Sequence, residues 1–138
     1  MHPSCAVRTA DAPTPLAGAP YSQAIRHDGL VFVSGQIGLD PATGALARGG
    51  LEAQTERAIV NLAAILEEAG SSLGYVLKTT VYLADLEHWP AMNEVYRRHF
   101  TDPAPARAAI QAAGLPAGAL VEIDAIAAVA DGRGPRSD

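Results

Sequence analysis

The stretch LVEIDAIAAVA, residues 120–130, decides how this chain folds. Its side chains alternate as on an extended strand: Val121, Ile123 and Ala125 begin one apolar face, and Glu122 and Asp124 begin the other, which turns apolar further on. A strand that is apolar on one face and mixed on the other is typical of a sheet that contacts protein on both faces. We therefore expect part of this sheet to pack against another copy of the chain.

Before this strand, the spacing of the apolar residues changes between that of a strand and that of a helix, and these changes mark the predicted helices and strands. The pattern predicts two strands within residues 21–40 joined at Asp28-Gly29, a helix over 51–69 that ends before Gly70, a strand at 76–85, a helix at 88–100 and a strand at 106–112. The order is ββαβαββ. It predicts an α+β fold in which two helices cover one face of a sheet.

The length of 138 residues suits one domain with a core of its own. Residues 1–18 are rich in Pro, Ala, Ser and Thr without any period, which predicts a flexible N-terminal arm. We expect a single domain over residues 19–130 and a flexible C-terminal tail over residues 131–138.

Composition argues against several classes of protein. The net charge is −5 and the basic residues, among which Lys78 is the one lysine, do not cluster, so no nucleic-acid partner is expected. The lone Cys5 excludes an intramolecular disulfide. No signal peptide and no membrane-spanning stretch are visible, which predicts no membrane partner and a cytoplasmic location.

The stretch DPAPARAAI, residues 102–110, places one charged side chain, Arg107, in a small and apolar run. Burying a guanidinium is costly unless an anion accompanies it. One interpretation is a structural ion pair with Glu122 or Asp124. The other is an anchor for a substrate carboxylate, which would accept two parallel hydrogen bonds while a nearby acid holds a water or moves a proton. The residues alone leave both interpretations open.

A hairpin closed at GLPAG, residues 114–118, would bring these residues together. Antiparallel pairing about Pro116 places Arg107 opposite Ile126 and on the same face as both acids, and a register slip of one residue would reverse that face.

Other groupings carry weaker signals. The four histidines have no metal-site spacing, and Ser22 and Ser34 lie outside a nucleophile elbow, so no metal site and no serine hydrolase is expected. Tyr21 and Asn93 are polar residues whose position in the sequence does not indicate a functional role, so structural hydrogen bonding is the default expectation for both.

Seven strings, in one order from about residue 19 to residue 130, point to a known family. They are PYSQA (20–24), SGQIGLDPATG (34–44), EAQTERAIVNLAAILEEAG (52–70), KTTVYLAD (78–85), MNEVYRRHF (92–100), PARAAIQ (105–111) and GALVEIDAIA (118–127). Together they resemble the Rid/YjgF family of reactive intermediate deaminases.

The resemblance implies a chorismate-mutase-like fold with a mixed sheet, assembled as a homotrimer with active sites in clefts between subunits. It implies hydrolysis of 2-enamine and 2-imine acids, such as 2-aminoacrylate, 2-iminopropanoate and 2-iminobutanoate, to 2-keto acids and ammonia. This is metabolite damage control, and it needs neither a cofactor nor a metal. Dehydratases that act on serine or threonine release such intermediates.

The resemblance also assigns roles to residues. Arg107 would bind the substrate carboxylate and Glu122 would position or activate the attacking water. The pocket would be lined by Tyr21, Ser34, Gly35 and Asn93. The chain departs from the usual family pattern at Ala19, Gly38, Ala108 and Ala109, and the missing hydroxyl at position 108 bears on substrate preference.

A second hypothesis belongs to another class: the same cleft would bind small keto acids or a partner protein as a regulatory module without catalysis. An RNA-cleaving activity known among relatives fits poorly with the acidic charge of this chain.

Overall fold

The computed structural model of the chain describes residues 4–130. Six strands form one mixed sheet in the order β1-β2-β3-β6-β4-β5. The strands are β1 (Cys5–Val7), β2 (Ala24–His27), β3 (Leu30–Ile37), β4 (Val76–Leu83), β5 (Ala106–Gln111) and β6 (Val121–Ala128), and the helices are α1 (Gly50–Glu68) and α2 (Trp89–His99). The α+β prediction with two helices on one face is confirmed.

Glycines mark both ends of α1. Gly49 and Gly50 have φ values of 116° and 79° where the helix begins, and Gly70 has a φ of +83° just after it ends. A residue with a side chain rarely adopts this left-handed backbone. Between these ends, Ile59, Leu62 and other apolar side chains of α1 pack against the sheet and form the core with α2.

The quoted strand, β6, lies between β3 and β4 and alternates strictly between buried and half-buried residues. Val121 and Ile123 face the helices and are fully buried, as the alternation predicted. Glu122 and Asp124 face the other side, which we call the open face. Two large apolar side chains stay exposed there, Phe32 on β3 and Ile110 on β5.

The predicted hairpin between β5 and β6 is wrong. β4 lies between them: β5 pairs parallel with β4, and β6 pairs antiparallel with the other edge of β4. Helix α2 connects β4 to β5, and such a crossover places the two strands in parallel. The connection over residues 112–120 then crosses the end of β4, so GLPAG does not form a tight turn between neighbours.

The segment predicted as a flexible N-terminal arm, residues 1–18, contains ordered elements in its described part. Cys5–Val7 forms β1 on the edge of β2. The buried side chain of Gln23 holds the following segment, because its amide nitrogen donates to the carbonyls of Thr9, Ala12 and Pro13 and its oxygen accepts from the Thr9 N–H at 2.7 Å. The tail predicted at residues 131–138 lies outside the described residues.

Candidate active site

Arg107 lies on β5, the edge strand, and its guanidinium points to the helix side of the sheet. Its Nη1 donates to Asn93 Oδ1 on α2 at 2.7 Å. The guanidinium carbon lies 4.9 Å from the centroid of the Tyr96 ring and 5.8 Å from that of the Trp89 ring. Aromatic faces attract a cation at these distances. The group is therefore held by one amide and two rings.

Arg107 forms no salt bridge with any acid within residues 4–130. The structural ion pair with Glu122 or Asp124, one of the two interpretations from sequence, is therefore not formed. Asn93 uses one of five N–H donors, which leaves donors for the paired hydrogen bonds that a carboxylate accepts. A cavity of about 390 Å³, lined also by Asn93 and Phe100, borders the guanidinium.

Glu122 lies on the open face, beside a break in the neighbouring strand. The register of β3 against β6 shifts between Val33 and Gln36, as at a β-bulge, and Gly35 lies in that shift. A methyl group at position 35 would overlap Oε2 of Glu122. Glycine thus lets the carboxylate lie directly against the β3 backbone.

The Glu122 carboxylate has no hydrogen-bond partner among the side chains and backbone groups of residues 4–130, and it is half-buried. Burial, and then the charge of Asp124, raise the pKa of this carboxyl above its ordinary value. A carboxylate with unused lone pairs and raised proton affinity can bind a water and take its proton.

Tyr21 and Ser34 lie on the segments that lead to this carboxylate. Ser34 Oγ donates to the Ser22 carbonyl at 2.6 Å, which fixes the backbone one residue before Gly35. The Tyr21 hydroxyl accepts from the Leu16 N–H at 2.9 Å, and its side chain remains 41% exposed. These bonds fix the loop that borders the Gly35 bulge.

The structure thus divides the predicted site into two half-sites. Arg107 and Asn93 form the arginine half-site on the helix side of β5. Glu122, with Gly35 and the Ser34 segment, forms the carboxylate half-site on the open face. From the strand registers, the Arg107 and Glu122 Cα atoms are roughly 14 Å apart, two strands across and three residues along. The prediction that they share a face is wrong, because it depended on the absent hairpin.

Sequence reasoning missed the aromatic residues around Arg107. On α2, Trp89 precedes Asn93 by four residues and Tyr96 follows it by three, so all three side chains share a helix face. This spacing could have revealed the two aromatic residues. It also missed Tyr82, which pairs directly with Glu122. No sequence signal reveals Tyr82 until the pairing of β4 with β6 is known.

No group of three or more His, Cys, Asp or Glu side chains that could hold a metal ion occurs between residues 4 and 130. Over the same residues, neither helix combines the length and the hydropathy that a membrane crossing requires.

The fold places the chain in a class of small α+β proteins, one of which has been crystallised with a bound amino acid. The crystal structure of E. coli TdcF with bound serine superposes with a TM-score of 0.84 at 35% identity, covering 91% of this chain and 99% of that one. The sequence model of the endoribonuclease L-PSP family matches residues 9–129. The chain belongs to this family, which is the Rid/YjgF family that its strings resemble.

The relatives in this family include a RutC family protein and a named deaminase. A RutC family protein of Pyrococcus abyssi is 50% identical, over 86% of this chain and 92% of that protein. The 2-iminobutanoate/2-iminopropanoate deaminase of Mus musculus is 48% identical, over 82% of this chain and 84% of that protein. The chain therefore resembles named enzymes over most of its length.

Proposed function

We propose that this chain hydrolyses 2-imino acids and their enamine tautomers, 2-aminoacrylate/2-iminopropanoate and 2-iminobutanoate, to 2-keto acids and ammonia. The observation that carries the proposal is the Glu122 carboxylate, half-buried against Gly35, without a hydrogen bond from any group of residues 4–130 and with a raised pKa. A group in this state can accept a proton from a bound water. The name of the mouse relative gives the substrate class.

The site proposed for this reaction is shared between subunits. A small imino acid carries its carboxylate next to the carbon that water attacks, so both half-sites must contact a molecule only a few ångströms long. Within one subunit, Arg107 and Glu122 point to opposite faces of the sheet. A homotrimer that brings the β5 edge of one copy to the open face of the next would complete the site.

The chemistry then follows from the two groups. Arg107 binds the substrate carboxylate through two N–H donors and orients the C=N bond toward Glu122. Water adds to the carbon of the protonated imine: the C–O bond forms, the C=N π pair moves to nitrogen, and Glu122 takes one proton of the water. Glu122 returns that proton to the nitrogen of the carbinolamine. The C–N bond breaks as the carbonyl forms, and the hydroxyl proton leaves with ammonia as ammonium.

A protonated imine is already a strong electrophile, so this reaction calls for orientation and a positioned water rather than for a metal or cofactor. The cytoplasmic location and the role in metabolite damage control remain part of the same proposal.

The experiment generates the imine in place with a dehydratase acting on serine or threonine and follows imine decay and keto-acid release. The wild-type chain should accelerate hydrolysis over buffer. Arg107→Ala and Glu122→Gln should each lose at least one to two orders of magnitude in kcat/KM, because one charge-assisted contact is worth about 1.5–3 kcal/mol. Turnover no faster than buffer, or full activity in Arg107→Ala, would contradict the proposal.

A regulatory binding module is the alternative, and the serine bound to the TdcF structure is the observation that favours it. Calorimetric titration with 2-ketobutanoate separates the two functions. Binding that is equal in the wild type and in Glu122→Gln, with no imine turnover in either, would support the module.

A further inference from the structure

Asp124 lies beside the proposed base on the open face, and the reaction above gives it no role. Glu122 and Asp124 are two residues apart on β6, so their Cα atoms are about 7 Å apart and both side chains leave the same face. Like charges at this separation on a half-buried face repel each other appreciably.

Donors from β4 hold both oxygens of Asp124. The Thr80 N–H donates to Oδ1 at 3.1 Å, and the Tyr82 hydroxyl donates to Oδ2 at 3.2 Å. Hydrogen bonds to the charged form of a carboxyl favour that form. Tyr82 is also the residue paired with Glu122 across the strands, so the residue that donates to Asp124 lies beside Glu122. The carboxyl group of Asp124 is therefore held by two donors at a fixed position next to Glu122.

The other neighbours of Glu122 do not offset this charge. Its pairing partner on β3 is Ile37, and Gly35 lies against its oxygen. On β4 the facing residue is Tyr82, while Lys78 shares the open face but lies four residues further along the strand. On β5 the facing residue is Ile110, and Arg107 points to the other side of the sheet.

We propose that Asp124 is a positioning residue for the Glu122 base: Tyr82 and the Thr80 amide fix its charge beside Glu122, and that charge makes Glu122 a better proton acceptor toward the bound water. The inference rests on the function proposed above. It agrees with the pKa of Glu122, which the charge of Asp124 raises in addition to burial. The pKa of the Tyr82 hydroxyl is likewise raised, by burial and then by Asp124, so Tyr82 remains a donor.

The variant Asp124→Asn tests this role, because it keeps the shape of the side chain and removes its charge. Without the repulsion, Glu122 binds its proton less tightly, so the acidic limb of the kcat/KM profile should move to lower pH and kcat should fall several-fold at neutral pH. Tyr82→Phe should also move the acidic limb of the profile to lower pH, but by a smaller amount, because it removes the hydrogen bond to one oxygen of Asp124. Glu68→Gln removes an exposed acid on α1 and serves as the matched control with an unchanged profile.

A second readout keeps the inference separate from the proposed function. Carbon-13 NMR of the labelled carboxyl groups follows the titration of Glu122 directly, with its signal assigned by its loss in Glu122→Gln. A lower titration midpoint in Asp124→Asn supports the role of Asp124 even if the wild type hydrolyses no imine, in which case only the function fails. An unchanged midpoint and an unchanged acidic limb in folded Asp124→Asn would overturn the inference. If that variant does not fold, unchanged values in Tyr82→Phe would overturn it.

Discussion

Gly35 has no side chain, and this determines where the Glu122 carboxylate can lie. The backbone at position 35 is not left-handed, so alanine would fit the local conformation, but its methyl group would meet the end of the Glu122 side chain. That end can rotate away at little cost in stability. The glycine thus serves the position of the carboxylate more than the fold.

Gly35→Ala should therefore separate activity from stability. We expect the imine hydrolase activity to fall by about an order of magnitude or more, because a displaced carboxylate no longer positions the water. The free energy of unfolding should change by less than about 1 kcal/mol, since the clash involves a flexible side chain. Steady-state kinetics and urea denaturation measure the two quantities.

Gly114→Ala is the matched control for this variant. Gly114 also lacks a left-handed backbone, and a Cβ there would meet nothing within 4 Å. This control should leave activity and stability unchanged. Wild-type activity in Gly35→Ala would show that Glu122 does not act from the position seen here.

At the scale of elements, α1 packs against the end of β3 through Gly38. A Cβ at position 38 would lie 2.6 Å from the Gln54 carbonyl oxygen and 2.7 Å from its Cα, which are backbone atoms of the helix. A buried helix cannot move aside as the end of a side chain can. The closeness of α1 to β3 therefore depends on this glycine.

Gly38→Ala should destabilise the chain by about 1–3 kcal/mol, the usual cost of overpacking a well-packed interior. Urea denaturation measures this loss, and Gly114→Ala again provides the control. A free energy of unfolding equal to that of the wild type would mean that α1 does not lie as close to residue 38 as described.

The elements themselves could be predicted from sequence, because each has a local signal. Alternation revealed β6, helical spacing between glycines revealed α1, and Asp28-Gly29 revealed the turn between β2 and β3. β1 was missed because three residues are too few to show a period. What holds the arm in place is the distant side chain of Gln23.

Strand pairing could not be predicted in the same way, since it depends on contacts between distant segments. β5 and β6 are consecutive in the chain, and neighbouring strands pair often, which favoured the hairpin. Nothing local indicates that β4 lies between them. The wrong strand pairing also affected the predicted site. The family strings named its residues, but the expected hairpin placed Arg107 and Glu122 on the same face of the sheet.

At the scale of the whole molecule, the open face of one copy leaves large apolar side chains exposed. Phe32 and Ile110 remain 43% and 49% exposed on it, and the half-buried acids lie between them. The proposed site is incomplete in the same way, with its cation at the β5 edge and its carboxylate on the open face. One assembly of identical copies would cover the apolar side chains and join the two half-sites.

Subunit complementation tests this central claim most directly. Arg107→Ala and Glu122→Gln subunits, each inactive alone, are unfolded, mixed in equal amounts and refolded together, and imine hydrolysis is compared with that of each variant refolded separately. Random mixing gives about a quarter of the sites an intact arginine from one copy and an intact carboxylate from the next. The account predicts recovery of roughly a quarter of wild-type activity. A mixture no more active than its separate components would contradict it, because both residues would then act from the same subunit.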